Sequence, residues 1–153
     1  MVDIPDIAAL SERLGEEVAV SDWVEVTQER IDRFAEATDD RQWIHIDPAR
    51  AAAESPFKTT IAHGFLTLSL VSLLTRQAMS FGGIRMAINY GVNRVRFVSP
   101  VPSGSRLRGH FTPVTVKKTG DAVQVTWAVA IEREHSDKPA ATVEWIVRYY
   151  PLP

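Results

Sequence analysis

From Gly64 to about Met79 the chain reads FLTLSLVSLLTRQAM after the glycine, apolar on nearly every side of a helix. A helix with so little polar surface has to be buried on most sides, as one wrapped by a sheet is. Upstream, Pro5-Asp6 opens a short helix whose Ile7, Leu10 and Leu14 share a face, and Gly15 supplies its stop. Residues 17–26, EVAVSDWVEV, suit a strand broken at Ser21-Asp22. Thr27 caps a second helix that runs to about Ala37, with Glu29 near its positive end and Ile31, Phe34 and Ala35 as its buried stripe. The stretch from Thr38 to His63 reads as turn and short helix. Within it, Asp47-Pro48 opens a helical turn, with Asp as N-cap and Pro at the first helical position.

Phe81-Gly82-Gly83 ends the apolar helix, and after it the period changes from helical to alternating. Ile84, Met86, Ile88 and Tyr90 alternate with Arg85, Ala87 and Asn89, and Gly91 marks a bulge that shifts the phase before Val95 and Phe97. SPVPSGS is a loop. Leu107–Lys118 and Ala122–Arg133 flank Thr119-Gly120-Asp121 as the arms of a hairpin, and after EHSDKP a last strand runs from Ala140 to Tyr150. One long buried helix followed by a β-meander implies an α+β domain over residues 1–153, an antiparallel sheet curled round the central helix. That is the hot-dog arrangement. Such a sheet leaves an edge strand open, and pairing two copies is a common cover, so a homodimer is expected.

Composition narrows the function classes. The hydrophobic share of 45%, the charged share of 24% and a net charge of −2 give no global attraction to nucleic acid or to an anionic membrane. The absence of cysteine removes disulfides, thiolate metal sites and a cysteine nucleophile. MVDIPDIAAL lacks a signal-peptide pattern, and the longest apolar stretch, Gly64 to Leu74, is too short to span a bilayer. A cytoplasmic protein is the default expectation. His45, His63, His110 and His135 show no paired spacing of the HxxxH kind, so no metal is expected.

The candidate chemistry lies between Thr38 and Gly64. Asp40 and His45 stand five residues apart, and His63-Gly64 precedes the buried helix. A carboxylate, an imidazole and a glycine-marked helix start are the parts needed for proton transfer beside a developing oxyanion. Each has a blander reading. Asp40 suits a turn after a helix, His45 suits a hydrogen-bonded buried histidine, Asp47 suits a structural N-cap, and His63 suits a loop-orienting or capping residue. Arg94, Arg96, Arg106 and Arg108 alternate along two strands, so each pair shares a face that is either solvated or turned to ligand phosphates.

The run Phe34-Ala-Glu-Ala-Thr-Asp-Asp40-Arg-Gln-Trp-Ile-His45-Ile-Asp47-Pro48, with Ala51, Ile61-Ala-His63-Gly64 and Val95-Arg96-Phe97…Pro100-Val101…Gly104, resembles the MaoC-like (R)-specific enoyl-CoA hydratase family. Gln-Trp-Ile-His resembles the branch named after nodulation protein N, which includes 3-hydroxyacyl-thioester dehydratases; the common family motif has Gly, Asn and Pro where this chain has Asp39, Gln42 and Trp43. The resemblance implies that Asp40 and His45 are catalytic, that the Gly64 N–H forms the oxyanion hole, and that Ser72 bonds the catalytic Asp, although packing inside the helix suits Ser72 equally. It implies an acyl-CoA or acyl-carrier thioester as substrate and no cofactor. Two rivals use the same fold: a thioesterase, and a non-catalytic acyl-thioester binding protein.

Overall fold

In the computed structural model, which describes residues Met1–Pro153, the chain begins with β1 (Val2–Ile4), a 3-10 helix (Ile7–Arg13), β2 (Ala19–Val20) and β3 (Val24–Val26). Three helices follow, α1 (Gln28–Thr38), α2 (Trp43–Ile46) and α3 (Pro48–Glu54). Then come α4 (Gly64–Ser69), α5 (Val71–Ala78) and β4 (Met79–Phe81). The long strands are β5 (Ile84–Phe97), β6 (Ser105–Thr119), β7 (Ala122–Arg133) and β8 (Ala141–Pro151). The main sheet is antiparallel in the order β2-β6-β7-β8-β5, and β3 also pairs with β6. The first strand region is broken after Val20, where Ser21 exchanges hydrogen bonds with Gly109. The β6–β7 turn falls at Gly120, whose φ of 61° is the left-handed conformation a tight turn needs there.

Alternation along the sheet puts one face into the core. Val125, Trp127, Val129 and Ile131 of β7 and Leu107 and Phe111 of β6 are buried against Leu66, Leu70, Val71, Leu74 and Ala78 of the helix. Gly109 marks the close approach of sheet and helix. A Cβ there would stand 2.9 Å from the Phe111 ring and 3.2 Å from Cβ of Leu74. Two large polar side chains on this face pair with each other: Trp127 Nε1 donates to the Tyr149 hydroxyl at 3.1 Å, and burial pushes the Tyr149 hydroxyl pKa upward. No helix is long and apolar enough to cross a membrane.

Three details differ from the sequence reading. The central helix is divided at Leu70, although Leu70 N→Leu66 O (3.0 Å) and Leu74 N→Leu70 O (2.9 Å) carry the ladder through. Ser69 Oγ donates to Phe65 O at 2.7 Å just before the break, a back-bond that bends helices. The first helix is 3-10 rather than α, capped by Asp6, which accepts from Ala8 N. Val2–Ile4 and Met79–Phe81 form a separate parallel pair, in register from Val2↔Met79 to Ile4↔Phe81. Three residues are too few for a period-2 signal to show.

The strand β5 is unlike the others. It pairs only with β8, its far edge is free, and Met86, Ile88, Tyr90, Val92 and Phe97 are all exposed on it. Its register shifts between Asn89 and Gly91, and again between Val92 and Arg94.

Candidate active site

Thr27 accepts from Arg30 N as the N-cap of α1, and Asp39, left-handed at φ 57°, terminates that helix. Asp40 is therefore the first residue of the returning segment, at the surface. His45 lies in the single turn of α2, and Asp47 caps α3 by accepting from Arg50 N at 3.0 Å, the structural role its position suggested. Arg50 in turn lies over the Trp43 ring, 4.4 Å from its centroid. The segment returns to the sheet end through Ile61 N→Ile44 O (3.0 Å) and Ala62 N→Val101 O (2.8 Å), which brings His63 and Gly64 beside His45.

The histidines are fixed by what they bond. His45, 7% exposed, places Nδ1 2.6 Å from the Ile61 carbonyl. A carbonyl only accepts, so Nδ1 carries the proton and Nε2 keeps the lone pair in the neutral ring. His63 places Nε2 2.9 Å from the Asp40 carbonyl, so its own lone pair is at Nδ1, which is buried without a partner in the chain. The two rings stack at 3.8 Å with planes 25° apart, and Phe34 backs His63 at 4.9 Å. Burial holds the His45 pKa below its ordinary value; the Ile61 bond opposes this, the neighbouring His63 adds to it, and the Asp40 charge opposes it. The imidazole is therefore neutral at pH 7.

Gly64 opens α4. No side chain caps this helix at His63, and its first intrahelical bond is Thr67 N→His63 O at 3.2 Å, which leaves the N–H groups of the first turn without intrahelical acceptors. His45, Gly64, Thr67 and Phe97 line one cavity of about 270 Å³. A Cβ on Gly64 would stand 2.9 Å from the Phe97 ring, so packing alone already calls for glycine at this position.

The fold thus gathers Asp40, His45, His63 and Gly64, and separates Ser72 from them. Ser72 lines a different cavity, with Leu68, Tyr90, Val92 and Trp145, and does not bond Asp40. Eight residues at 3.6 per turn leave it rotated by about 80° from Gly64. Two residues that sequence reasoning missed hold His45 in place. Gln28 Nε2 donates to the His45 carbonyl at 2.7 Å, and the buried Thr60 hydroxyl donates to Gln28 Oε1. Nothing local marks either, since both bonds span long sequence separations. Of the four arginines, Arg106 and Arg108 pair with Glu134 and Glu132 and lie over Trp23, whereas Arg94 and Arg96 on β5 have no carboxylate within ion-pair distance.

Ligand-type atoms of Asp40, His45 and His63 lie within 4.8 Å of one another, a proximity that linear spacing did not reveal.

Residues 9–135 match the family model described as MaoC like domain. The chain belongs to the MaoC-like dehydratase family. It is 52% identical over 144 residues to 3-hydroxyacyl-thioester dehydratase Z of Mycobacterium tuberculosis, covering 94% of this chain and 95% of that protein. Over 147 residues it is 48% identical to Nodulation protein N of Rhizobium leguminosarum bv. viciae, covering 92% of this chain and 88% of that one. The branch that Gln-Trp-Ile-His suggested is therefore the right one, and this MaoC-like dehydratase is an enzyme of the hydratase–dehydratase class. Among solved structures, R-hydratase PhaJ1 from Pseudomonas aeruginosa aligns with a TM-score of 0.69 at 24% identity, over 91% of this chain and 83% of that chain. The (R)-hydratase from A. caviae involved in PHA biosynthesis aligns with a TM-score of 0.66 at 23% identity, over 90% and 96%. At those identities they establish the fold, the expected hot-dog.

Proposed function

We propose that this MaoC-like dehydratase hydrates trans-2-enoyl thioesters to (3R)-hydroxyacyl thioesters and runs the reverse dehydration, with Asp40 and His45 holding one water. The observation that carries the proposal is the fixed tautomer of His45: Nδ1–H is tied to Ile61 O and Nε2 is left basic, on a ring with a nitrogen within 4.8 Å of the Asp40 carboxylate and in one cavity with Gly64. In hydration, the water oxygen bonds to the β-carbon as it loses a proton to the pair. The double-bond electrons move toward the thioester carbonyl, and enolate charge on its oxygen is met by the Gly64 N–H. With a surface carboxylate and a neutral imidazole, the pair begins with no spare proton. The proton taken from water is therefore the one delivered to the α-carbon, on the same face of the double bond. No step calls for a metal or cofactor.

The subunit is proposed to act as a homodimer. The free edge of β5 and its exposed Met86, Ile88, Tyr90 and Val92 form the apolar surface a second copy would cover. Coenzyme A or an acyl carrier supplies the thioester. The deciding experiment is incubation with crotonyl-CoA: the enoyl absorbance should fall and chiral analysis should give the (3R) product. Release of free thiol without hydration would mean a thioesterase, and mainly (3S) product would mean that the motif has been misread.

A further inference from the structure

We infer that the Thr67 hydroxyl is a further substrate-contacting group, one that hydrogen-bonds the oxygen carried on the β-carbon of the acyl thioester; this rests on the hydratase reading of the same cavity. Thr67 is 3% exposed, yet its Oγ1 makes no hydrogen bond within the chain. Three other helical hydroxyls behave differently, whereas Ser72, like Thr67, makes no such bond and lines a cavity. Thr38, Ser69 and Thr75 each donate to the carbonyl four residues back at 2.7 Å, the bond a helical hydroxyl makes by default. Thr67 has the same choice at His63 O, but that carbonyl takes only the Thr67 N–H. The hydroxyl belongs instead to the cavity wall that Thr67 shares with His45 and Gly64, among Ile61, Phe97 and Val101. The hydroxyl is open to the cavity, where water pairs with it until a ligand group of matching polarity takes the water's place.

The spacing gives that partner a chemical identity. Thr67 is three residues past Gly64, on the same helix face and about 4.5 Å further along the axis. A thioester with its carbonyl oxygen at the Gly64 N–H and its acyl chain running along the helix brings the β-carbon abreast of the next turn. The β-oxygen is water before hydration and alcohol after it. A threonine hydroxyl both donates and accepts, so it serves either form. Valine has nearly the same shape without the hydroxyl, and this makes the contact testable.

The test uses Asp40→Asn protein to suppress turnover and compares, by calorimetry, the binding of (3R)-3-hydroxybutyryl-CoA and butyryl-CoA. Asp40→Asn protein should bind the hydroxylated ligand about 3–10-fold more tightly, the scale of one hydrogen bond. Adding Thr67→Val should abolish most of that preference while butyryl-CoA binds as before, and Thr67→Ser should restore it. In otherwise wild-type protein, Thr67→Val should leave the melting temperature unchanged or raised, because no partner within the chain is lost. A preference that survives Thr67→Val, no preference in the Asp40→Asn protein, or a melting temperature lowered by several degrees would each overturn the inference. Turnover of crotonyl-CoA by the wild type tests the reaction separately. Hydration with an untouched ligand preference removes Thr67 alone, and a Thr67-dependent preference without hydration removes the reaction alone.

Discussion

Two cavities flank the helical run that starts at Gly64, with similar volumes of about 270 Å³ and 340 Å³. The smaller is lined in part by His45, Ile61 and Ala62, which come from the segment between α1 and α4. The larger is built wholly from helix and sheet, by Leu68, Ser69, Ser72, Tyr90, Val92 and Trp145 among others. Both are partly apolar and both hold hydroxyl groups. Only the first has an imidazole with one nitrogen pinned and the other free. Size therefore does not identify the working site. The irregular segment can offer chemistry because its side chains are not already committed to the sheet–helix core, which is why the proposed site falls there.

The largest effects are expected at Asp40 and His45. Asp40→Asn and His45→Gln should each lower crotonyl-CoA hydration by about 10²–10⁴-fold. If both grip one water, as proposed, the double variant should be little worse than the poorer single one. Multiplicative losses would remove the shared water, and active single variants would remove the site.

Next in size is Gly64→Val, expected to cost about 10²–10³-fold in turnover, the scale for one lost oxyanion donor. The side chain also meets the Phe97 ring, so Gly64→Val/Phe97→Leu separates the two effects. The double variant should regain thermal stability and stay slow. Regained turnover would make Gly64 a packing residue only.

At the larger cavity, the effect should be on assembly rather than chemistry. Val92, 46% exposed on the free edge, should tolerate Val92→Lys within about 0.5 kcal/mol in the isolated subunit. Sedimentation should show the wild type as a dimer and Val92→Lys as a 17.0 kDa particle. A fully active wild-type monomer would count against the assembly.

Smaller again is a shift in titration. Hydration should fall on the acid side with an apparent pKa below 6.5, because burial favours neutral His45 and the working form is lost as it protonates. NMR titration of His45 should move further down in Asp40→Asn, which removes a stabilising negative charge, and up in His63→Phe, which removes a neighbouring imidazole. Opposite signs would mean that another group titrates. Smallest is Ser72→Ala, which should stay within about twofold in turnover, since surface or loosely placed hydroxyls away from the chemistry carry little.

What was legible in the sequence is what depends on near neighbours. The sheet followed from alternation after Gly83, the hairpin from Gly120, and the caps from Thr27 and Asp47, each a bond spanning three residues or a period of two. The pairing of Asp40 with His45 was legible only as a motif, and its geometry was not. His63 reaches the Asp40 carbonyl across 23 residues, and Gln28 reaches that of His45 across 17. Side chains meeting at such separations leave no periodic trace, so the sequence could name the participants and miss what holds them. Of the two readings of Ser72, a bond to Asp40 and packing on the helix, spacing alone could not choose, and the structure places it in the second cavity.

The pairing of β2 and β3 with β6, and of β1 with β4, also sets an order in time. Val2 meets Met79, Ala19 meets Phe111 and Val24 meets Leu107, so each early strand waits for a partner made much later. A chain leaving the ribosome therefore exposes β1, β2 and β3 before the strands they pair with exist. Closing such long loops is the slow part of folding. The β6–β7–β8 meander can form from consecutive neighbours, and only then do β2 and β3 find the edge they pair with.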